Sequence, residues 1–446
     1  MEPNILLESL IEETGVSRAG LAGRVNRAGR ARGLELRYEH TAVARWLKGQ
    51  RPRGEVPDLL CEVFAGRLGR PVTLDDIGMG ATGPYTAAPA GTLTGFVDRA
   101  AALWRTDDRP GPGPAAAPAV TGTAAVMPVW EWENPPEDAD VSRPGDRRVC
   151  DADLETLRAA RVHYEHLYRR AGGLATRSRV VGFLNGGAAP LLRAGYDDPT
   201  GRRLHRATAG LVALAGICAY DSDAHGMAQR YFHQALRLAK ASGDRAMGGY
   251  VIALLVNQSL HLADHRRCVA FAEAALRAAG PHVTPALAAD LYAMQAKAYA
   301  RLGDGPAALE CIRRAESRAD RIRPGGEPDE TGYVQPGLVD VQVAEALLSL
   351  GDLDGAREHA ASAVRAPAHD RGRVHRLAML TQVELRQGEA DRAAGTASEM
   401  AERARGMESR RLRDRMRSVG ADLRASGSAE AARAAETIRE ALSVPL

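Results

Sequence analysis

The sequence is poor in lysine, in aromatic residues and in paired cysteines. Only three of its 59 basic residues are lysine, so arginine supplies nearly all the positive charge, as is common in proteins from GC-rich genomes. The five cysteines form no CxxC motif and no cysteine–histidine spacing typical of a zinc site. This pattern predicts reduced thiols in the core, and therefore a reducing cytoplasm rather than an oxidising compartment.

Long apolar runs are also missing. None approaches the ~18 residues that a membrane helix needs, and the N-terminal stretch MEPNILLESLIEETG carries too many acids for a signal peptide. We therefore expect a soluble cytoplasmic protein with no membrane partner. The net charge is only +3 over 446 residues, so any attraction for nucleic acid must be local. The length is sufficient for two or three folding units.

Signatures of catalysis are absent too. The sequence contains no GxxxxGK[ST], no HExxH and no GxSxG motif. His163 and His166, in HYEH, have a spacing that suits a metal, but no third ligand lies near them in the sequence, so a polar helix face is the preferred interpretation. These observations predict no catalytic residue, no metal site and no cofactor, and thus a protein that is not an enzyme.

A short basic helix is predicted in HTAVARWLKGQRPRG, residues 40–54. Val43, Trp46 and Leu47 fall on one face at helical spacing, while the opposite face is polar and cationic. Gly49 and Pro52 are suited to ending the helix. Residues 18–53 as a whole contain ten basic and two acidic side chains, a local charge of +8.

Three short helices with a cationic third helix are what a helix-turn-helix domain requires, here over residues 1–80. The second helix would begin after Ser17 as its N-cap. Four residues of the third helix are expected to face base edges, and the others to contact phosphates. The predicted DNA-binding residues are Ser17, Arg18, His40, Thr41, Ala44, Arg45, Lys48, Arg51 and Arg53. The alternative is an ordinary solvated helix surface in an arginine-rich protein.

Residues 81–148 change in composition and predict a linker rich in proline and glycine. The stretches RPGPGPAAAP and ENPPEDADVSRPG cannot form long helices. Between them, MPVWEWEN contains two of the four tryptophans, which predicts a short segment that docks on a neighbouring domain. A short helix from Leu93 to Trp104 is also expected. A flexible linker with one adhesive segment is the alternative.

Residues 149–446 predict helices throughout, and small or modest side chains recur in them at offsets of 12, 4 and 3. Such spacing is typical of antiparallel helix pairs that approach closely. It resembles the tetratricopeptide repeat over residues 205–405, with flanking helices expected at Leu154–Ala171, Arg403–Ala425 and Ala429–Leu442. The recurring positions are Gly216, Ala228, Phe232 and Ala235; Val256, Cys268, Ala272 and Ala275; Ala296, Ala308, Ile312 and Ala315; Ala344, Ala356, Ala360 and Ala363; and Thr381, Ala393, Ala397 and Met400.

The first helix of each pair is expected to line the concave face of such a stack. Its polar residues there predict a groove for a peptide or protein ligand, in which Lys297 and Arg301 would hold a carboxylate. The groove residues are Tyr220, Asp221, Asn257, His261, Lys297, Arg301, Glu345, Gln382 and Arg386. The alternative is that each of them is an ordinary solvated residue.

Two stretches resemble a group of streptomycete regulators. The first is SRAGLAGRVNRAGRARGLELRYEHTAVARWLKGQRP with LGRPVTLDDIGM, and the second begins at GFLNGGAAPLLRAGYDDP. The resemblance implies an all-α fold with a Cro/repressor-type helix-turn-helix domain, a proline-rich linker and a C-terminal α-solenoid like that of tetratricopeptide repeats. It also implies a transcriptional repressor of sporulation or antibiotic production that binds double-stranded DNA. We expect a homodimer. The alternative is a repeat scaffold for another regulator, with a weak or vestigial DNA-binding domain.

Overall fold

A computed structural model describes residues 4–69, 72–74, 76–79, 92–108, 117–134, 137–323 and 325–443. Within these ranges the regular secondary structure is helical, and extended pairing is limited to two isolated bridges, Arg143 with Tyr196 and Arg148 with Gly195. The all-α prediction is therefore confirmed. None of the described helices combines the length and the apolar character that crossing a membrane requires.

The chain forms two compact units. Unit 1 consists of Met1–Pro114 and Leu184–Ala189, and unit 2 consists of Ala115–Phe183 and Pro190–Leu446. Residues 80–91 and 109–116, which include much of the predicted linker, lie outside the described residues. The division into residues 1–80, 81–148 and 149–446 stays a prediction.

Unit 1 begins with four short helices, and the second of them begins at the predicted N-cap. Ser17 caps the second helix, since its Oγ accepts a hydrogen bond from the Gly20 amide at 3.1 Å. Gly15 and Gly69 end the first and fourth in the left-handed conformation, each with φ 62°. A fifth helix confirms the one expected from Leu93. The helices are α1 (Ile5–Thr14), α2 (Arg18–Ala31), α3 (His40–Leu47), α4 (Val56–Leu68) and α5 (Leu93–Asp107).

The connection between α2 and α3 is fixed beside α3. The Asn26 side chain donates to the Tyr38 carbonyl at 2.8 Å and accepts from the Tyr38 amide at 2.9 Å. The Tyr38 ring meets Trp46 edge-on, with 5.1 Å between the ring centroids. Because both backbone groups of Tyr38 are satisfied in this way, the residues that lead into α3 have a defined path despite their many arginines.

Unit 2 is built mainly of helix pairs joined by short turns, and such turns force the two helices of a pair to run in opposite directions. The pairs are α10 (Asp198–Asp221) with α11 (His225–Ser242), α12 (Arg245–His261) with α13 (His265–Ala279), α14 (Pro285–Leu302) with α15 (Gly305–Ala319), α16 (Leu338–Leu350) with α17 (Leu353–Arg365), and α18 (Asp370–Arg386) with α19 (Ala390–Arg403). The flanking helices are α6 (Thr123–Glu133), α7 (Asp151–Ala171), α8 (Gly173–Phe183), α9 (Ala189–Arg193), α20 (Arg410–Ala425) and α21 (Ala429–Ser443).

The helix pairs pack through the positions that the spacing pattern singled out. All twenty of these side chains or glycines are buried. At Gly216 a Cβ atom would lie 2.5 Å from the Phe232 ring, so α10 and α11 approach at a distance that only glycine permits here. Helix α20 begins at Arg410 rather than Arg403, because Ser409 caps it by accepting from the Leu412 amide at 3.2 Å.

The tryptophan-containing segment MPVWEWEN forms most of α6, which packs within unit 2. Trp132 is buried, while Trp130 is exposed. The Arg245 guanidinium lies 5.4 Å from the centre of the Trp132 ring, and a Cβ at Gly248 would overlap that indole. Lys240 donates to the Asn134 carbonyl at 2.8 Å and so satisfies a backbone group just past the C-terminal end of α6.

Candidate DNA-binding surface and helical-repeat cavity

Helix α3 is anchored in unit 1 by one face only. Val43 is fully buried and Trp46 nearly so, in a core that also contains Leu21, Val25 and Phe64. Since 3.6 residues make one turn, the residues between these anchors face outward. The sequence thus orients the helix by its apolar side and leaves the opposite side available to a partner.

The predicted DNA-binding residues lie at the surface of unit 1. His40, Thr41, Ala44 and Arg45 share the outer side of α3, where only Ala44 is half-buried and the other three are exposed. The remaining members of the set are also exposed: Ser17, Arg18, Lys48, Arg51 and Arg53. The set therefore includes short side chains such as Thr41 and Ala44, and long cationic side chains such as Arg45 and Lys48.

Two members of the set already have partners inside the unit. Arg51 donates from its guanidinium to the Met79 carbonyl, which holds the basic turn after α3 against residues 72–79. Ser17 uses its Oγ as the N-cap of α2. For these two residues the structure supplies a stabilising role, whatever they contact outside the chain.

The local positive charge is only partly neutralised. Arg32 binds Glu62 and, at 3.4 Å, Glu55, so this arginine ties the end of α2 to α4. Among the described residues, Arg45 and Lys48 form no ion pair with a carboxylate. An exposed helix face with unpaired cations attracts an anionic surface at short range.

The helix pairs of unit 2 line a cavity of about 590 Å³ that is partly open to solvent. Each of α10, α12, α14, α16 and α18 contributes residues to its wall, whereas among their partner helices only α11 does, through Phe232. The first helices of the five pairs thus supply most of the wall, which is the arrangement expected for the inner face of a repeat stack. Helices α7 and α20 also contribute, as do Glu330 and Tyr333 between α15 and α16 and His369 just before α18.

Seven of the nine predicted groove residues line this cavity. They are Tyr220, Asn257, His261, Lys297, Arg301, Glu345 and Gln382. Arg386 instead lines a neighbouring cavity of about 560 Å³. Asp221 is fully buried in the structure and does not reach either lining.

Lys297 and Arg301 bind a carboxylate of the chain itself. The Lys297 Nζ lies 3.0 Å from Glu345 Oε2, and Arg301 pairs with the other oxygen of the same carboxylate. Burial alone raises the pKa of Glu345, but the charges of Lys297, Arg415 and Arg301 outweigh it and hold that pKa well below its usual range. Glu345 is thus ionised and satisfies both residues that the sequence assigned to a ligand carboxylate.

Asp221 joins four parts of unit 2. Its carboxylate accepts from the Gly173 amide at 2.8 Å, from Ser409 Oγ at 2.8 Å and from both terminal nitrogens of Arg371, one of them at 2.9 Å. Burial alone raises the pKa of Asp221, but Arg371 and these hydrogen bonds lower it below its ordinary value. The residue is a structural ion-pair centre rather than a ligand contact.

Sequence reasoning missed two cavity residues that are prominent in the structure, Arg411 and Arg415 of α20. The Arg411 guanidinium lies 3.9 Å from the centre of the Tyr220 ring, and Arg415 donates to Gln382 Oε1 at 3.3 Å. The signal was their i,i+4 spacing beside the apolar residues Leu412 and Met416. It could not show which distant helix they would face.

Three possible metal ligands meet near the cavity, although the sequence predicted no metal site. Oxygen and nitrogen atoms of Asp223, His225 and His261 lie within 4.8 Å of one another, and Asp223 pairs with His225 at 2.8 Å. Burial, followed by the charges of Arg411 and His225, lowers the pKa of His261 to about 4. The imidazole is therefore neutral at pH 7, but a cation here would face the positive charge of Arg411.

A match to a known protein family covers the N-terminal part of the chain. Residues 7–80 match the SP15 N-terminal domain. The SP15 match covers α2, α3 and α4 completely and includes all nine predicted DNA-binding residues. No curated protein matches the chain.

Proposed function

We propose that the chain is a sequence-specific DNA-binding transcriptional regulator whose helical repeats receive a peptide or protein ligand. In this proposal α2 and α3 act as a helix-turn-helix and α3 enters the major groove. The observation that carries it is the two-sided character of α3, with Val43 and Trp46 buried and Arg45 and Lys48 exposed without an ion pair among the described residues. Any amphipathic surface helix exposes a polar face, but the cations on this one have no carboxylate partner within the described ranges and are available to bind phosphates or base edges.

The proposed DNA contacts fall into two groups, those to base edges and those to phosphates. Arg45 lies on the outer side of α3, where a guanidinium can pair with both major-groove acceptors of a guanine. His40 and Thr41, in the first turn of the helix, would contact neighbouring base edges. Lys48 and Arg53 flank its C-terminal end and suit phosphates, while the N-terminus of α2 beside Arg18 suits another phosphate.

The repeats provide the sensing part of the proposal. Their paired helices, close-packed small residues and lined inner face are the features of a tetratricopeptide-like solenoid. We propose that the regulator is a homodimer and that a bound ligand changes its affinity for DNA. By linkage the ligand must then bind better to one of the two functional states, since equal affinity for both would change nothing.

The direction of regulation follows from the resemblance to streptomycete regulators alone. It suggests a repressor of development or secondary metabolism. Recruitment of RNA polymerase by the same DNA-bound chain would instead make it an activator. Transcription from an operator-containing promoter, measured with and without the purified protein, distinguishes these outcomes.

A repeat scaffold with a vestigial DNA-binding domain is the second candidate, and one observation favours it. Glu39 is exposed at the N-cap of α3, but its side chain forms no capping hydrogen bond. Its carboxylate would repel the phosphates of DNA. Glu39 would be compatible with DNA binding if its carboxylate accepted a hydrogen bond from the amino group of a cytosine. Otherwise the protein would bind DNA only weakly and without sequence preference.

Replacement of Arg45 by alanine tests the proposal. We expect the variant to lose about 1–3 kcal/mol of binding free energy on its selected DNA site, because the bidentate pair with guanine is lost. Binding to unrelated duplexes should change much less. The measurement is fluorescence anisotropy with the full chain, on a duplex enriched from a random library and on a shuffled version of it.

The matched control is Arg67→Ala, which removes an exposed arginine of α4 outside the predicted set. It should leave the preference for the selected site intact. Equal losses on selected and shuffled DNA for Arg45→Ala would assign Arg45 to a phosphate, and no loss on either would remove α3 from the interface.

A further inference from the structure

The cavity of unit 2 is lined by more positive than negative side chains near α20. Lys297, Arg301, Arg411 and Arg415 all line it there. The carboxylate available to them is Glu345, which is already shared by Lys297 and Arg301. Asp414 also lines the cavity, but it pairs with the exposed Arg417.

Arg411 and Arg415 are the two cations left over. Neither forms an ion pair among the described residues of the chain. Arg415 contacts only neutral acceptors, Gln382 Oε1 at 3.3 Å and Met379 Sδ at 3.6 Å. The Nε atoms of both arginines are buried without a hydrogen-bond partner. Both side chains are half-buried. A partly desolvated guanidinium without an anion is costly, so these two are suited to bind a negatively charged group.

The electrostatics of Arg415 agree with this geometry. Burial, followed by the nearby charges of Arg411 and Arg301, lowers the pKa of Arg415, while Glu345 only partly compensates. Arg411 and Arg415 are four residues apart on α20, so their side chains lie next to each other on the same helix face. Two adjacent guanidinium groups present several N–H donors, which is the arrangement that an oxyanion binds best.

The rest of the wall suits an apolar or aromatic body. Phe232, Met294 and Leu338 line the same cavity, and the Tyr220 ring lies directly under Arg411. A volume of about 590 Å³ is in the range of small-molecule sites and too small for a folded protein partner.

We propose that this cavity binds a small molecule with an apolar body and one oxyanion group, a carboxylate or a phosphate, held between Arg411 and Arg415. The inference rests on the proposed sensing role of unit 2 and narrows its ligand from a peptide or protein to an anionic small molecule. Because Lys297 and Arg301 are paired with Glu345, the ligand oxyanion would bind to Arg411 and Arg415 of α20 instead.

Three probes with one shared ring test the site in the full chain: phenyl phosphate, phenylacetate and the neutral phenylacetamide. Isothermal titration calorimetry at constant ionic strength should show saturable binding of at least one anion at a single site, and at least tenfold weaker binding of the amide. A preference for phenyl phosphate or for phenylacetate identifies the oxyanion. Equal binding of the amide, or binding of none of the three, would overturn the proposal.

The double variant Arg411→Gln, Arg415→Gln tests the residues. It should bind the anion at least tenfold more weakly, whereas the control Arg424→Gln, an exposed arginine of the same helix outside the cavity lining, should bind it as the wild type does. Without a probe, the double variant should melt at or above the wild-type temperature, because the repulsion between two adjacent guanidinium groups is gone. A variant that binds equally well, or that unfolds, would contradict the assignment.

This outcome can be separated from that of the proposed function. Anion binding that leaves the DNA affinity of the full chain unchanged would confirm the site and refute the sensing role. DNA binding by α3 in a chain that binds no anion would refute the site and leave the DNA-binding proposal standing.

Discussion

Replacement of Asp221 by alanine is expected to lower the free energy of unfolding of unit 2 by about 3–5 kcal/mol. The carboxylate is completely buried and binds Arg371, the Gly173 amide and Ser409 Oγ together. Its removal leaves the Arg371 guanidinium without a counter-ion in a site with little water. Because these partners belong to α8, α18 and the cap of α20, one substitution weakens three distant contacts at once.

Chemical denaturation of the full chain, followed by circular dichroism, measures this effect. The control is Glu399→Ala, which removes one member of the exposed pair between Glu399 and Arg403 and should change stability by less than about 1 kcal/mol. A double variant, Asp221→Leu with Arg371→Met, should recover part of the loss because it also removes the unpaired charge. An Asp221→Ala protein as stable as the Glu399→Ala protein would show that the ion pair contributes little.

Acid should destabilise unit 2 well above the pH at which carboxylates titrate. Burial lowers the pKa of His205 and of His233 to about 4, and the charges of Arg230 and Arg267 add to the effect at His233. In the unfolded chain a histidine has a pKa of about 6.5, so the unfolded state binds more protons below that pH. The free energy of unfolding is therefore unaffected by these histidines above about pH 6.5, and it decreases as the pH falls from 6.5 towards 4.

His233 provides the cleanest test, since neither of its ring nitrogens has a hydrogen-bond partner in the described part of the chain. Between pH 7 and pH 5 the wild type should lose about 2 kcal/mol through this residue. A His233→Leu variant should lose that much less over the same interval, as measured by urea denaturation at each pH. The exposed His282 is the control, and His282→Leu should keep the wild-type profile. Parallel profiles for His233→Leu and the wild type would contradict the prediction.

The sequence was most informative where a local pattern decides the structure. The recurrence of small residues such as Gly216 and Ala296 located both helices of each pair, because close approach of two helices excludes larger side chains. Val43 and Trp46 likewise oriented α3, since an amphipathic helix buries its apolar face. The predicted N-cap Ser17 was correct because capping depends on neighbouring residues only.

Contacts between residues far apart in the sequence could not be predicted from such local patterns. Asp221 follows Tyr220 on α10 and seemed to share its groove, yet it is buried by Arg371, 150 residues away in the sequence. Lys297 and Arg301 line the cavity, but their partner Glu345 belongs to the next helix pair. Helical periodicity gives the face on which a residue lies. It does not give the element that covers that face, so Arg411 and Arg415 were missed as well.

The central claim is that α3 and its neighbouring cations read duplex DNA. The most direct test is the affinity of the full chain for a duplex enriched from a random library, compared with a shuffled duplex over a series of salt concentrations. Contacts with four to six phosphates predict that the logarithm of the affinity falls with the logarithm of the salt concentration, with a slope of roughly −4 to −5. The selected duplex should remain preferred by roughly a thousandfold or more at physiological salt. Equal affinity for both duplexes at every salt concentration, or a failure of the library to enrich, would contradict the account.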